Sequence, residues 1–286
     1  MKVLVIGGDG YLGSEYCKYL SSQGLAPIAF DFPQDINAIR AKDMKELSPS
    51  FVVNFAMIAE LMREHILQSA DDYKVNVLGL INLIEAISAA QIPLIQISTR
   101  EVIGLRDFRK DPMKLFSGGD DLRRIAEEEA CFPLHSYGKT KLMAEYLGLG
   151  YEKGTVIRLN TPYTENWTSG KGLISVLVRK SCSDGKVRLD NLGRAVRDPL
   201  HINDLAELTL RVFEEGVHQV VINAAGGEEN IVSLKEICVE SNPEVVIEDG
   251  SENSDYGFVM DIRKAADLGW RPQTNIRSWL RGIRHS

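Results

Sequence analysis

Apolar runs of four to six residues recur along the first two thirds of the chain, and longer stretches of helical periodicity separate them. The runs Lys2–Ile6, Pro27–Phe30, Phe51–Phe55, Leu94–Ser98, Thr155–Leu159 and Gln219–Asn223 are almost continuously apolar. Strands read that way when helices cover both faces of their sheet. Helical patterns fall between them over Tyr11–Gln23, Ile36–Leu47, Tyr73–Ala90, Tyr137–Gly150 and Asn203–Glu214. Strand and helix in alternation predict an α/β fold of the Rossmann type, a doubly wound parallel sheet. The last third is less regular. Gly170–Ser183 reads as a helix, Gly226–Ile231 and Asp249–Gly257 as loops, and Lys264–Leu268 and Ile276–Arg284 as short helices. This gives a dinucleotide-binding domain over 1–160, to which 197–223 returns, and a smaller C-terminal substrate-binding lobe over 161–196 and 224–286.

One helix departs from the usual one-sided pattern. From Asn76 to Ala90 apolar residues occupy nearly every face. A helix that is apolar all round is buried all round. Its cover is either another part of the chain or a second subunit, and a homodimer is the expectation.

Composition narrows the function. Hydrophobic residues are 44% of the chain and charged residues 26%, with a net charge of −7. That supports a globular core and offers no basic footprint for nucleic acid. The cysteines Cys17, Cys131, Cys182 and Cys238 form no C-x-x-C pair and have no histidine at metal spacing. Reduced core thiols are expected, with neither a disulfide framework nor a metal site. The first apolar run is too short for a signal peptide or a membrane span, so a cytoplasmic protein without membrane association is expected.

The candidate chemistry begins where the first strand ends. Gly7, Gly8, Asp9, Gly10, Tyr11, Leu12 and Gly13 spell G-x-x-G-x-x-G between a strand and a helix. Gly7 permits the turn, Gly10 lets the backbone approach a pyrophosphate, and Gly13 lets helix and strand pack closely. The helix start, with Tyr11 and Leu12, then faces the phosphates with its N–H groups. Asp31 ends the second strand, where a carboxylate accepts bonds from both hydroxyls of an adenosine ribose and repels a 2′-phosphate. This favours NAD over NADP. Asp43 is a candidate partner for the adenine, and Met44, Phe55 and Ala56 are further candidate cofactor positions.

Tyr137 and Lys141 form Y-x-x-x-K. Positions i and i+4 share a helix face, so the ammonium can lie beside the phenol. Positive charge from Lys141 and from oxidised nicotinamide is expected to lower the phenol's pKa and make tyrosinate a usable base. The motif alone proves little. Its place, on a helix after the fourth strand and behind Ser98 and Thr99, gives it weight.

Several stretches together resemble the extended short-chain dehydrogenase/reductases, specifically the sugar-nucleotide epimerase/dehydratase family. They are the glycine turn, Tyr73, Asn76, Val77 and Gly79 of a Y-x-x-N-V-x-G helix, and Ser98-Thr-Arg-Glu-Val-Ile-Gly104. To these are added Ser136-Tyr-Gly-Lys-Thr-Lys141, Arg197-Asp-Pro-Leu-His-Ile-Asn-Asp204, Met260-Asp-Ile-Arg-Lys-Ala265 and Leu268-Gly-Trp-Arg-Pro272. The resemblance implies a triad of Thr99, Tyr137 and Lys141, with NAD oxidising a nucleotide-sugar at C4 and being regenerated in the same cycle. It implies a diphosphate contact at Arg197, a task suited to a forked donor, and substrate contacts from Thr99, Arg100 and Thr161.

Glu101 is the informative variable. It is either a base for a carbon acid next to the new ketone or a strand-end carboxylate paired with Arg100 or Arg123. Dehydratases of the dTDP-glucose kind carry an acidic group where this chain has Arg100, and arginine cannot donate a proton usefully. The family's usual Y-G-P is Tyr163-Thr-Glu165 here, Ile103 replaces an aromatic residue, and the stretch from Asp249 to Gly257 holds no arginine. Two other functions fit the same pattern: an NAD-linked dehydrogenase of a small secondary alcohol, and a non-catalytic dinucleotide-sensing protein. The intact Thr99, Tyr137 and Lys141 set argues against the last.

Overall fold

The structure is a computed structural model that describes residues 1–31, 36–57, 70–104, 122, 124–250 and 257–284. By its internal contacts the chain divides into two compact units: Met1–Gly104, Glu128–Leu159 and Ala206–Ile222 form the first, and Leu105–Glu127, Asn160–Leu205 and Asn223–Ser286 the second.

The strands stand close to where the apolar runs place them. They are β1 (Lys2–Ile6), β2 (Ala26–Phe30), β3 (Phe51–Asn54), β4 (Leu94–Thr99), β5 (Gly154–Leu159) and β6 (Val221–Ala224). Their order across the sheet is β6-β5-β4-β3-β1-β2. The pairs β1–β2, β1–β3, β3–β4 and β4–β5 are all parallel. Every residue of β3, β4 and β5 is buried, which accounts for their unbroken apolar character. The chain runs outward from β1 to β2, then returns past β1 to β3 and beyond. That reversal opens a crevice at the carboxyl ends of β1 and β3, the usual place for a ligand in such sheets.

Side chains alternate across the sheet, so each strand feeds two cores. On one face Leu4, Ile6, Val52 and Leu94 pack with Met44 of α2 (Ala41–Leu47), with Leu80, Leu83 and Ile87 of α3 (Gly79–Ser88), and with Ala144 of α4 (Ser136–Gly150). On the other face α1 (Tyr11–Ser22) meets α5 (Ile202–Glu214), and the Tyr16 hydroxyl lies 2.7 Å from Thr209 Oγ1. Phe51 of β3 stacks on Phe213 of α5, ring centroids 4.6 Å apart.

The expected helix over Tyr73–Ala90 is real but not uniform. A turn of π-helix over Lys74–Leu78 precedes α3. Such turns accommodate one extra residue and often mark functional sites. The cause here is tertiary: Asn76 is buried and donates through Nδ2 to Thr140 Oγ1 of α4 at 3.0 Å. Within this one chain the cover of the segment is partial. Asn76, Gly79, Leu80, Leu83, Ala86 and Ile87 form the buried stripe, and Val75 and Ile84 are half-buried against the same core. Leu78 is 51% exposed and Glu85 is exposed.

In the second unit the helix Leu173–Asp184 matches the expected one, and Arg263–Asp267 and Ile276–Ile283 are the short C-terminal helices. A further helix, Leu234–Ser241, starts where the Ser233 hydroxyl accepts from Glu236 N at 3.0 Å. The strand Val246–Asp249 pairs in parallel with Lys186–Leu189, so the expected loop begins only after Asp249; its residues 251–256 lie outside the described part. Buried polar side chains staple this unit. Asp204 accepts from Gln273 N and Thr274 N at 3.0 and 3.1 Å, and Asp198 accepts from Met260 N at 2.9 Å and from Asn160. These contacts group Arg197–Leu205 with the second unit, where the sequence suggested the first.

Of the cysteines, only Cys238 is a core thiol; Cys17 and Cys131 are half-buried and Cys182 is exposed. Among the described residues no helix is long and apolar enough to cross a membrane.

The Tyr16–Thr209 bond yields a stability prediction. Thr209 Oγ1 already donates to Ala206 O at 2.7 Å, which makes Tyr16 the donor of the pair. Tyr16→Phe removes a donor and leaves an acceptor that is still engaged, costing about 1 kcal/mol, whereas Thr209→Val strands a buried hydroxyl and costs roughly 1–3 kcal/mol. Urea unfolding of both variants checks the order. A larger loss for Tyr16→Phe than for Thr209→Val would contradict it.

Candidate active site

The glycine turn leaves β1 at the crevice, and its glycines are required by space. Gly7 has φ +78°, and a Cβ there would lie 2.8 Å from Ala56 N at the end of β3. A Cβ on Gly13 would come within 2.1 Å of Gly7 O, so the helix could not seat on the turn. At Gly10 a Cβ would meet only Gly7 O, at 3.1 Å, which leaves its other side open for an incoming group. Gly8, a variable position in the motif, proves equally constrained: its Cβ would lie 2.6 Å from Ala29 Cβ of β2. Helix α1 starts without a side-chain cap and without an acidic residue in its first turn. The positive end of its dipole therefore faces the crevice, where an anion is favoured.

Asp31 follows β2 directly and accepts from Asp9 N in the turn at 3.2 Å, which places its carboxylate beside the glycines. Asp43 and Met44 are placed otherwise. Asp43 Oδ2 accepts from Arg40 N at 2.8 Å and so secures the start of α2, and Met44 is a buried core residue. Phe55 packs against Tyr16, centroids 5.0 Å apart, and Ala56 N is held by Asn54 Oδ1 at 3.0 Å.

The second constellation stands at the carboxyl end of β4. Thr99 is the last residue of that strand, and its Oγ1 accepts from Glu101 N at 3.3 Å, starting a short 3₁₀ turn over Arg100–Val102. Helix α4 packs onto that turn so tightly that a Cβ on Gly138 would lie 2.7 Å from Glu101 O. This explains the glycine next to Tyr137. The Tyr137 phenol is buried and donates to Met57 Sδ at 3.4 Å, with the Thr99 side chain near enough to lower its pKa. Lys141, 1% exposed, donates from Nζ to Ile97 O at 2.8 Å.

Burial sets the proton affinities. Desolvation pushes the Tyr137 phenol above its ordinary range; Thr99 pulls it down, nearby Glu101 adds to the rise, and Arg100 opposes it. The same cause drives Lys141 down to about 8, with Glu145 working the other way. The expectation that Lys141 depresses the phenol is therefore not met in the protein alone. Its ammonium is turned to a backbone carbonyl, and the loss of water around Tyr137 outweighs neighbouring positive charge.

A buried ion pair that sequence reasoning missed lies behind this face. Arg158 of β5 grips Glu145 of α4 with two bonds, Nε to Oε1 at 2.9 Å and Nη2 to Oε2 at 2.8 Å, and the side chains are only 4% and 2% exposed. Ser98 Oγ donates to the same Glu145 Oε1 at 2.6 Å. Glu101 in turn is paired with Arg100, Oε1 to Nη2 at 2.6 Å, with both side chains largely buried. Its other suggested partner, Arg123, lies outside the described residues.

Arg197 and Thr161 belong to the second unit. The Arg197 guanidinium lies 4.1 Å above the centre of the Phe258 ring and donates to Val196 O at 2.8 Å. Thr161 takes a left-handed backbone conformation, φ +43°, with Oγ1 bonded to Asn160 Oδ1 at 3.0 Å.

Comparison with known proteins bears on the family and the fold. The dTDP-4-dehydro-6-deoxyglucose reductase of Escherichia coli is 28% identical over 160 residues, covering 52% of this chain and only about half, 51%, of that protein. A UDP-glucose 4-epimerase of Rhizobium leguminosarum bv. trifolii is 25% identical over 98% of this chain and 95% of its own length. Among solved structures, UDP-glucuronic acid 4-epimerase from Bacillus cereus, in complex with UDP-glucuronic acid and NAD, shares the fold. Its TM-score is 0.79 at 19% identity, covering 100% of this chain and 98% of that one. The profile of one family matches residues 3–225, more than half of the sequence. The chain belongs to the NAD dependent epimerase/dehydratase family.

Proposed function

We propose that the protein is a nucleotide-sugar 4-epimerase that works by transient oxidation at sugar C4, with NAD regenerated in each cycle. The observation that carries this reading is the buried Tyr137 phenol four residues from buried Lys141 on one helix, with Thr99 at the carboxyl end of the neighbouring strand of a dinucleotide-type sheet. NAD is the family's cofactor, and the residues fit it: a cradle at Gly7, Gly10 and Gly13 that side chains would fill, an uncapped helix start, and Asp31 beside the turn. Tyr11, Leu12 and Gly13 would hold its pyrophosphate through backbone N–H groups, Gly10, whose own N–H donates to Gly7 O at 3.1 Å, would let it approach, and Asp31 would hold its adenosine ribose. When bound, NAD supplies the acceptor for the hydrogen and electron pair that leave C4.

The chain's own residues handle the proton. Tyr137 takes it from the C4 hydroxyl, and Thr99 hydrogen-bonds the same oxygen. Lys141, charged below about pH 8, favours the tyrosinate so formed. Glu101 is the residue that separates epimerisation from elimination. Held at 2.6 Å by Arg100, it is occupied as an ion-pair partner, which supports a cycle of C4 oxidation and return. The full-length likeness to a UDP-glucose 4-epimerase supports the same choice.

Three outcomes check this reading. NAD is expected to bind at least about tenfold more tightly than NADP, because Asp31 repels the 2′-phosphate, and Asp31→Ser to narrow the gap; equal affinities in fluorescence titration of the unmodified protein contradict it. Tyr137→Phe is expected to lower kcat by about 10²–10⁴-fold while NAD binding persists; turnover within tenfold of the parent removes Tyr137 from the role of base. In D₂O the product is expected to carry no solvent deuterium at C5, and Glu101→Gln to leave that unchanged. Deuterium uptake that disappears in Glu101→Gln would make Glu101 a carbon base and the enzyme a dehydratase.

A further inference from the structure

Met57 stands three residues beyond Asn54, the last residue of β3, at the carboxyl edge of the sheet. Unlike Met44 and Met260, which are buried, it is 37% exposed. Its sulfur nevertheless has a partner, because the buried Tyr137 hydroxyl donates to Met57 Sδ at 3.4 Å. One atom therefore faces two ways: it is open to a small reagent in solvent, and it touches the one phenol that shares a helix face with Lys141.

Peroxides oxidise an accessible thioether. Sulfur gives an electron pair to one peroxide oxygen, the O–O bond breaks, and the other oxygen leaves as water; sulfide and hydrogen peroxide become sulfoxide and water. The product differs from the thioether in the property that matters here. Its oxygen is a strong hydrogen-bond acceptor where sulfur is a poor one. Sulfur has two lone pairs and the Tyr137 hydrogen engages one, so the second can take the oxygen. The rotatable bonds of methionine then let that oxygen turn to the phenol, at an O···O distance of about 2.7 Å.

Resting on the proposed function, the Tyr137 hydroxyl has to turn from Met57 to the C4 oxygen in each cycle. We propose that Met57 is a site of reversible oxidation by peroxide, and that its sulfoxide holds the Tyr137 hydroxyl and arrests the enzyme. A methionine sulfoxide reductase restores the thioether and releases the phenol. The competing account makes Met57 an apolar filler at the end of β3, and its oxidation then has no bearing on Tyr137.

The test treats the full-length protein loaded with NAD with hydrogen peroxide and maps the oxidised methionines by peptide mass spectrometry. Turnover is followed with UDP-glucose and dTDP-glucose, whichever the untreated protein converts. Loss of kcat/KM is expected to track the fraction of Met57 sulfoxide and to reach at least about tenfold. Methionine sulfoxide reductases are expected to restore it, and Met57→Leu to keep its own activity through the treatment. A second measurement needs no substrate. Tyr137→Phe is expected to lower Tm by about 2 °C or more beyond its cost in untreated protein once Met57 is oxidised, because a stronger bond is then lost. In the Met57→Leu background that difference is expected to vanish. Met57 left unoxidised while Met143 reacts, or oxidised with turnover unmoved, overturns the proposal. So does a Met57→Leu variant that loses activity as the parent does, or a cost of Tyr137→Phe that oxidation leaves unchanged. Absence of turnover in the untreated protein overturns the proposed function instead, and the Tm comparison then decides the sulfoxide bond by itself.

Discussion

The face that carries Tyr137 and Lys141 depends on the buried ion pair between Glu145 and Arg158. Two charges removed from water are expensive, and their attraction repays the cost only when the geometry is good and the remaining lone pairs are satisfied. Both conditions hold here: the arginine is bidentate and Ser98 adds a third bond to the same carboxylate. A pair of this kind contributes little net stability compared with well-packed apolar side chains. What it fixes is position. Glu145 meets Ser98, and Lys141 meets the carbonyl of Ile97. Two helix residues spaced by four engage two consecutive residues of one strand. The helix can neither slide nor rotate on the sheet without breaking both contacts.

The same closeness explains the electrostatics. The ionisable groups on the inner face of this helix are removed from solvent, Tyr137 to 8% exposure and Lys141 to 1%. Tyr137 is driven up and Lys141 down to about 8, so burial favours the uncharged form of each. Acid–base work needs groups whose affinity for a proton can be moved by their surroundings. Here packing has already moved both away from their values in water, in opposite directions.

Much of the first unit is legible in the amino-acid order because it follows from local rules. Strands buried on both faces are apolar throughout, and glycines stand where the backbone has no room for a Cβ. The parts that resisted reading are those that need a distant partner. Nothing around Asn76 foretells a π turn, because its cause is Thr140 on another helix. Ser98, Glu145 and Arg158 look ordinary in isolation. One signal was available: Glu145 shares a helix face with Tyr137 and Lys141, and a carboxylate on a face that must pack on a sheet requires a buried partner. Gly8 and Gly138 hid for a different reason. Motifs mark them as free to vary, whereas here Ala29 and the carbonyl of Glu101 crowd them. The apolar outer side around Leu78 is a different case, since an all-apolar pattern does not say what covers it.

The hydrogen bond from Tyr137 to the sulfur of Met57 bears on how readily the site accepts its guest. A thioether is a weak acceptor. A phenol clasped instead by a carboxylate or a main-chain oxygen would surrender a strong bond each time an alcohol approached, and every turnover would begin uphill. On the proposed function, sulfur would keep the hydroxyl aimed while no alcohol is there and yield it at small cost when one arrives. Met57 would then act as a placeholder for the ring rather than as a competitor for its proton.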